Sequence, residues 1–96
     1  MNLHITSRAV ACLKEEWGFA DGDDIKIYVR YTGGGEEPLA LGIMKEPPSP
    51  SIPIDRVTAG GMTFYMERDD QWFLEGRTLT IDASGDQIRF ILGDDT

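Results

Sequence analysis

Residues 25–31 read Ile-Lys-Ile-Tyr-Val-Arg-Tyr and run through Thr32 into three consecutive glycines. A period of two is the repeat of an extended chain, in which successive side chains point to opposite faces. Ile25, Ile27, Val29 and Tyr31 therefore form one row of a half-buried strand, with Lys26, Tyr28 and Arg30 on the other face. A single strand is not stable alone, so the rest of the chain must supply neighbours for it.

It does so repeatedly. Residues 39–44 are expected to form a second strand and residues 54–57 a short, edge-like one. Gly60-Gly61 turns the chain into a further strand, where Met62, Phe64 and Met66 alternate with Thr63, Tyr65 and Glu67. Residues 78–82 and 87–92 make two more, joined as a hairpin through Ala83-Ser84-Gly85-Asp86. Between the second and third strands stand Pro47, Pro48, Pro50 and Pro53. Proline fixes φ and lacks an amide donor, so this stretch reads as a surface excursion.

Two helices punctuate the strands. Thr6 is a candidate N-cap, since its hydroxyl can accept from an orphan amide of the first turn. Ile5 and Val10 have the spacing of a hydrophobic staple. Ala9, Val10, Leu13 and Trp17 follow at helical spacing, and Gly18 can end the helix. A second, short helix is expected through Trp72, Phe73 and Leu74, with Asp69 as its cap and Gly76 at its end. Asp21-Gly22-Asp23-Asp24 is a turn, because its spacing does not match a calcium loop. The resulting order is helix, two strands, proline loop, two strands, short helix, two strands. It predicts an α+β, mostly β architecture: a sandwich or partial barrel of short strands with an N-terminal helix and one short later helix.

The 96 residues suit one domain spanning 1–96. A chain of this size buries roughly 60–65% of its unfolded surface, enough for one thin core. Its net charge of −8 opposes both nucleic-acid binding and attraction to anionic membranes. The same charge favours partners with basic patches. Cys12 is the single cysteine, which excludes an intramolecular disulfide and a four-cysteine zinc site within one chain. The N-terminus shows no basic stretch leading into an apolar run, and no apolar stretch nears the roughly 20 residues of a membrane span. A cytoplasmic protein is expected.

Five segments carry a resemblance. They are Ile-Thr-Ser-Arg-Ala at residues 5–9, Tyr-Val-Arg-Tyr-Thr-Gly-Gly-Gly at 28–35, Leu-Gly-Ile at 41–43, Gly-Met-Thr-Phe-Tyr-Met-Glu at 61–67 and Leu-Thr-Ile-Asp at 79–82. Together they resemble the HesB-like (IscA-like, A-type iron–sulfur carrier) domain family, over nearly the whole chain. Members of that family hold iron or a cluster with one cysteine in the strand-end loop and two in a Cys-x-Cys tail. Here Gly34 best matches the loop position, the tail reads Ile-Leu-Gly-Asp-Asp-Thr, and Cys12 matches no ligand. The resemblance is therefore to a branch lacking the cluster-ligating cysteines. Clusters need thiolates, typically four, and carboxylates replace them poorly. No cofactor is expected, an iron–sulfur cluster least of all.

The candidate binding loop is Gly33, Gly34, Gly35, Glu36 and Glu37. Its spacing fits neither the dinucleotide fingerprint nor the P-loop, and the two glutamates would repel a phosphate. The simpler reading is a turn whose glycines permit positive φ. Glu36 and Glu37 sit where the family's loop ligand would stand and could take a hard cation between subunits; solvated surface charge is the simpler reading. Cys12 reads as a buried structural thiol, with Arg8 the one basic group one helical turn away. His4 is the lone histidine and has no identifiable nucleophile partner. Asp69 and Asp70 could split acid and base roles, but a helix N-terminus already accounts for both. Trp72 and Phe73 read as core or dimer-interface residues, since a base-stacking platform needs surrounding positive charge.

The expected function is a non-enzymatic, HesB-like binding or accessory protein linked to iron–sulfur assembly. The alternatives are divalent-metal or iron binding through the acidic loop residues, and an enzyme using His4, Cys12 or Asp70. The expected partners are another protein or a second copy of the chain, a homodimer, with no nucleic acid and no membrane.

Overall fold

The computed structural model describes residues 2–31, 39–48, 56–74 and 76–93. The chain runs through β1 (Leu3–Ile5), α1 (Ser7–Glu15), β2 (Asp24–Tyr31), β3 (Leu39–Lys45), β4 (Arg56–Ala59), β5 (Met62–Met66), α2 (Arg68–Gln71), β6 (Thr78–Ser84) and β7 (Gln87–Gly93). A 3₁₀ turn at Trp72–Leu74 continues from α2. The strands make two open sheets, β1-β6-β7 and β3-β2-β5-β4. This is the α+β, mostly β architecture that the periodicity predicts.

The long alternating strand becomes β2, at the heart of the larger sheet. It pairs antiparallel with β3, Ile27 opposite Ile43, and parallel with β5, Ile25 opposite Phe64. Ile25, Ile27, Ile43, Phe64 and Met66 turn inward and are buried. From the smaller sheet Leu79 and Ile81 complete the core, and Leu13 of α1 reaches it as well.

Thr6 caps α1 as expected, its hydroxyl accepting from the Ala9 amide at 3.1 Å. Ala9, Cys12 and Leu13 are the buried face of the helix. The Glu16 amide donates to the Cys12 carbonyl at 2.8 Å, and Gly18 then takes a φ of +73° that lets the chain leave. Trp17 falls beyond the last turn and does not continue the helical stripe. It is 43% exposed and meets Phe19 edge to face at 5.8 Å.

Four local expectations are corrected. β1 was not anticipated, because three residues are too few to display a period of two. Its support is nonlocal, a parallel pairing that sets Leu3 beside Leu79 and Ile5 beside Ile81. β4 runs Arg56–Ala59, past the expected end at Val57, while residues 54 and 55 lie outside the described residues. Asp69 does not cap α2: Glu67 holds the N-cap position without a side-chain bond, and Asp69 and Asp70 lie in the first turn. Their charge is favourable there against the positive end of the helix backbone. The hairpin after β6 is tighter than four residues, since Ser84 pairs directly with Gln87 across Gly85-Asp86.

The two sheets share one core and, among the described residues, meet on one side. β1 lies against β4 there. On the other side β3 and β7 are terminal strands of their sheets, and a cleft opens between them. Among the described residues no helix is long and apolar enough to cross a membrane.

Candidate interaction cleft

Gly33, Gly34, Gly35, Glu36 and Glu37 lie outside the described residues. The other three candidates are dispersed. His4 is exposed on β1, Cys12 is buried on α1 and Asp70 lies in the first turn of α2. The small cleft beside Cys12 is lined by Arg8, Ala11, Glu15, Glu16, Ala83 and Gly85, and by neither of the other two candidates. The geometry therefore does not assemble an enzyme from His4, Cys12 and Asp70. Among the described residues no group of three or more histidine, cysteine or acidic side chains could hold a metal ion.

The Cys12 thiol is pushed above its ordinary pKa, by burial first and then by the nearby charges of Glu16, Asp86 and Glu15. Arg8, which lines the same small cleft, is engaged elsewhere. Its guanidinium grips Asp82 at both carboxylate oxygens, Nε to Oδ1 at 3.2 Å and Nη2 to Oδ2 at 2.8 Å. Asp82 also accepts from the Thr6 hydroxyl at 2.7 Å and from the Ala83 amide at 2.8 Å. The Thr6 bond, then the amide, then Arg8 hold its carboxyl below the usual carboxylate range. The cluster fastens the start of α1 to β6.

A second polar cluster lies on the outer face of β2. Lys26 Nζ stands 2.5 Å from Glu67 Oε1 and 3.4 Å from Glu46 Oε2. The hydrogen bond to Glu67 is the main reason that the Lys26 pKa is raised, against a partial loss of hydration. The Tyr65 hydroxyl donates to the Glu46 carbonyl at 2.8 Å. These contacts tie the ends of β3 and β5 to β2.

The cleft between β3 and β7 has a volume of about 390 Å³. Leu41 and Ile43 form one wall, Ile88 and Phe90 the other, and the exposed Trp17 also lines it. Strand alternation explains the walls, since each places two apolar residues two positions apart on one face. Tyr28 and Gly42 are directly paired across β2 and β3. The ring of Tyr28 lies over Gly42, where a Cβ would come within 2.8 Å of Tyr28 Cζ. Arg30 and Asp86 are the charged lining residues. Glu15 and Glu16 precede Trp17 in the chain. The local sequence signal for this site was Trp17, an aromatic residue placed just before the glycine that ends the helix. The walls themselves could not be read, because nothing local says that β3 and β7 meet.

Fold and cleft define a small α+β protein with open sheet edges flanking an apolar groove. No family model matches the chain. Over 90 residues it is 32% identical to the protein named Pyruvate dehydrogenase inhibitor from Bacillus subtilis (strain 168), covering 90% of each, and it belongs to that protein's family. The name is that of an inhibitor of an enzyme, and its stated target is a protein.

This finding corrects the HesB-like, IscA-like resemblance and the function drawn from it. The relative found over nearly the full length is not named as an iron–sulfur carrier, and no family model supports that assignment. An accessory role in iron–sulfur assembly falls with it, and iron or divalent-metal binding through Glu36 and Glu37, which lie outside the described residues, gains no support from the relative. The physical reason is that an alternating strand and turn glycines specify an extended chain and its reversal. They carry no information about cluster chemistry.

Proposed function

We propose that this chain is a non-catalytic regulatory protein that binds a pyruvate dehydrogenase and lowers its activity. The observation that carries the reading is the 32% identity over 90% of both chains with a protein named for that inhibition. An inhibitor of this kind acts by occupying a surface, so it needs shape and charge complementarity rather than an activated nucleophile or a metal. A buried, unactivated Cys12 and an apolar cleft with an exposed Trp17 agree with such a role. The reading includes a cytoplasmic location and action on a protein partner.

The test is a steady-state assay of purified pyruvate dehydrogenase with increasing amounts of the purified chain. The rate is expected to fall with dose and to level off at saturation. A rate that stays unchanged at large molar excess, with no complex seen by sedimentation, rejects the proposal.

A further inference from the structure

We infer that the cleft between β3 and β7 is the docking site, and that it takes an extended segment of the partner carrying apolar side chains and lysine or arginine. This rests on the reading of the chain as a protein-binding regulator. Both walls end in terminal strands, and among the described residues neither outer edge has a strand neighbour. Such edges offer backbone donors and acceptors to an incoming strand. Leu41 and Ile43 on one side, and Ile88 and Phe90 on the other, repeat at the two-residue period of an extended chain. Alternate side chains of an occupant would therefore reach the apolar walls while the others stay at the surface.

Charge decides what those other side chains are. The lining has one basic residue, Arg30, and one acid, Asp86. Glu15 and Glu16 line the small neighbouring cleft together with Gly85, the residue just before Asp86 in the β6–β7 turn. They thus gather at the hairpin end of the cleft, and the whole chain carries −8. A basic segment is attracted to this rim, whereas a second copy brings its own −8 and is repelled. That choice favours a partner of opposite charge over self-association.

The experiment measures binding of pyruvate dehydrogenase to the full chain and to three variants. Trp17→Ala and Asp86→Lys alter the cleft, and Trp72→Ala alters an exposed aromatic residue that does not line it. Each cleft variant is expected to weaken binding by about tenfold or more, as central aromatic and charged contacts do, and the control to leave it unchanged. Two cleft positions are tested, so a folding defect in one, checked by thermal melting, leaves the other decisive. If the wild-type chain binds and both cleft variants keep its affinity, the docking site is wrong while the regulatory reading stands. If the wild-type chain does not bind the enzyme, the regulatory reading fails. The cleft is then judged with a synthetic peptide alternating valine and lysine, followed by amide NMR shifts. Shifts confined to residues 41–43 and 86–90 that vanish when glutamate replaces lysine support the site. Absent shifts, equal shifts with both peptides, or a dimer of the chain that Trp17→Ala dissolves would each overturn it.

Discussion

Thr6 donates a hydrogen bond of 2.7 Å to Asp82, joining the cap of the first helix to the sixth strand. The same hydroxyl accepts from the Ala9 amide, so one side chain both starts α1 and anchors it. Replacing Thr6 by alanine removes both roles. The cap alone is worth about 1 kcal/mol, and the change is expected to lower the urea midpoint by at least that equivalent. A Thr6→Ser variant keeps the hydroxyl and should stay near wild type. Equal midpoints for the serine and alanine variants would remove the hydroxyl from the account.

Asp82 makes stability depend on acid pH. Its folded pKa lies below the unfolded value of about 3.9, so the unfolded chain takes up the proton first. The stabilisation is present above the unfolded pKa and is lost as pH falls through the folded one. Urea midpoints measured from neutral pH to below pH 3 should therefore decline more steeply for wild type than for Asp82→Asn. Parallel curves would show that Asp82 does not carry this dependence.

Lys26 acts in the opposite direction. Its pKa is raised, chiefly by its hydrogen bond to Glu67, so its contribution is complete below the unfolded value of about 10.4. That contribution is lost as pH rises through the folded pKa. Lys26→Met is expected to cost up to about 1 kcal/mol at neutral pH, since Glu67 is well exposed, and to flatten the alkaline limb of the stability curve. An alkaline limb unchanged by the substitution would assign the loss to other groups.

Two glycines test the packing. At Gly60 φ is +59° and an added Cβ would collide with Val10 of α1. Gly60→Ala therefore combines backbone strain with overpacking and is expected to cost about 1–3 kcal/mol. At Gly42 the obstacle is the far end of the Tyr28 ring, which can swing aside. Gly42→Ala should cost less and should show as a changed Tyr28 environment by NMR. A larger loss at Gly42 than at Gly60 would reverse this account.

Legibility in the sequence followed the range of the interactions involved. The β2 strand, the Thr6 cap and the Gly60-Gly61 turn are local, because each depends on residues within one turn or one pleat. The pairing of Leu3 with Leu79 and the parallel register of Ile25 with Phe64 depend on chain segments far apart, which no local period records. The cleft is the extreme case, since Leu41 and Phe90 become neighbours of one cavity only when two sheets stack. The HesB-like resemblance misled for a related reason. Its five segments are strand and turn patterns that many folds share, and none of them carries a cysteine ligand.

Cys12 is expected to be inert in the folded chain. It is 4% exposed, and burial together with Glu16, Asp86 and Glu15 raises its thiol pKa, so little thiolate exists near neutrality. A disulfide reagent in the native state at pH 7 should react far more slowly than in urea, where the thiol is hydrated and Asp86 is far away along the chain. Raising the pH should speed the native reaction. Glu16→Gln should speed it modestly, because it removes the leading charge contribution and leaves the larger effect of burial in place. A native rate equal to the unfolded rate would mean that Cys12 is accessible and activated, and would reopen its chemistry.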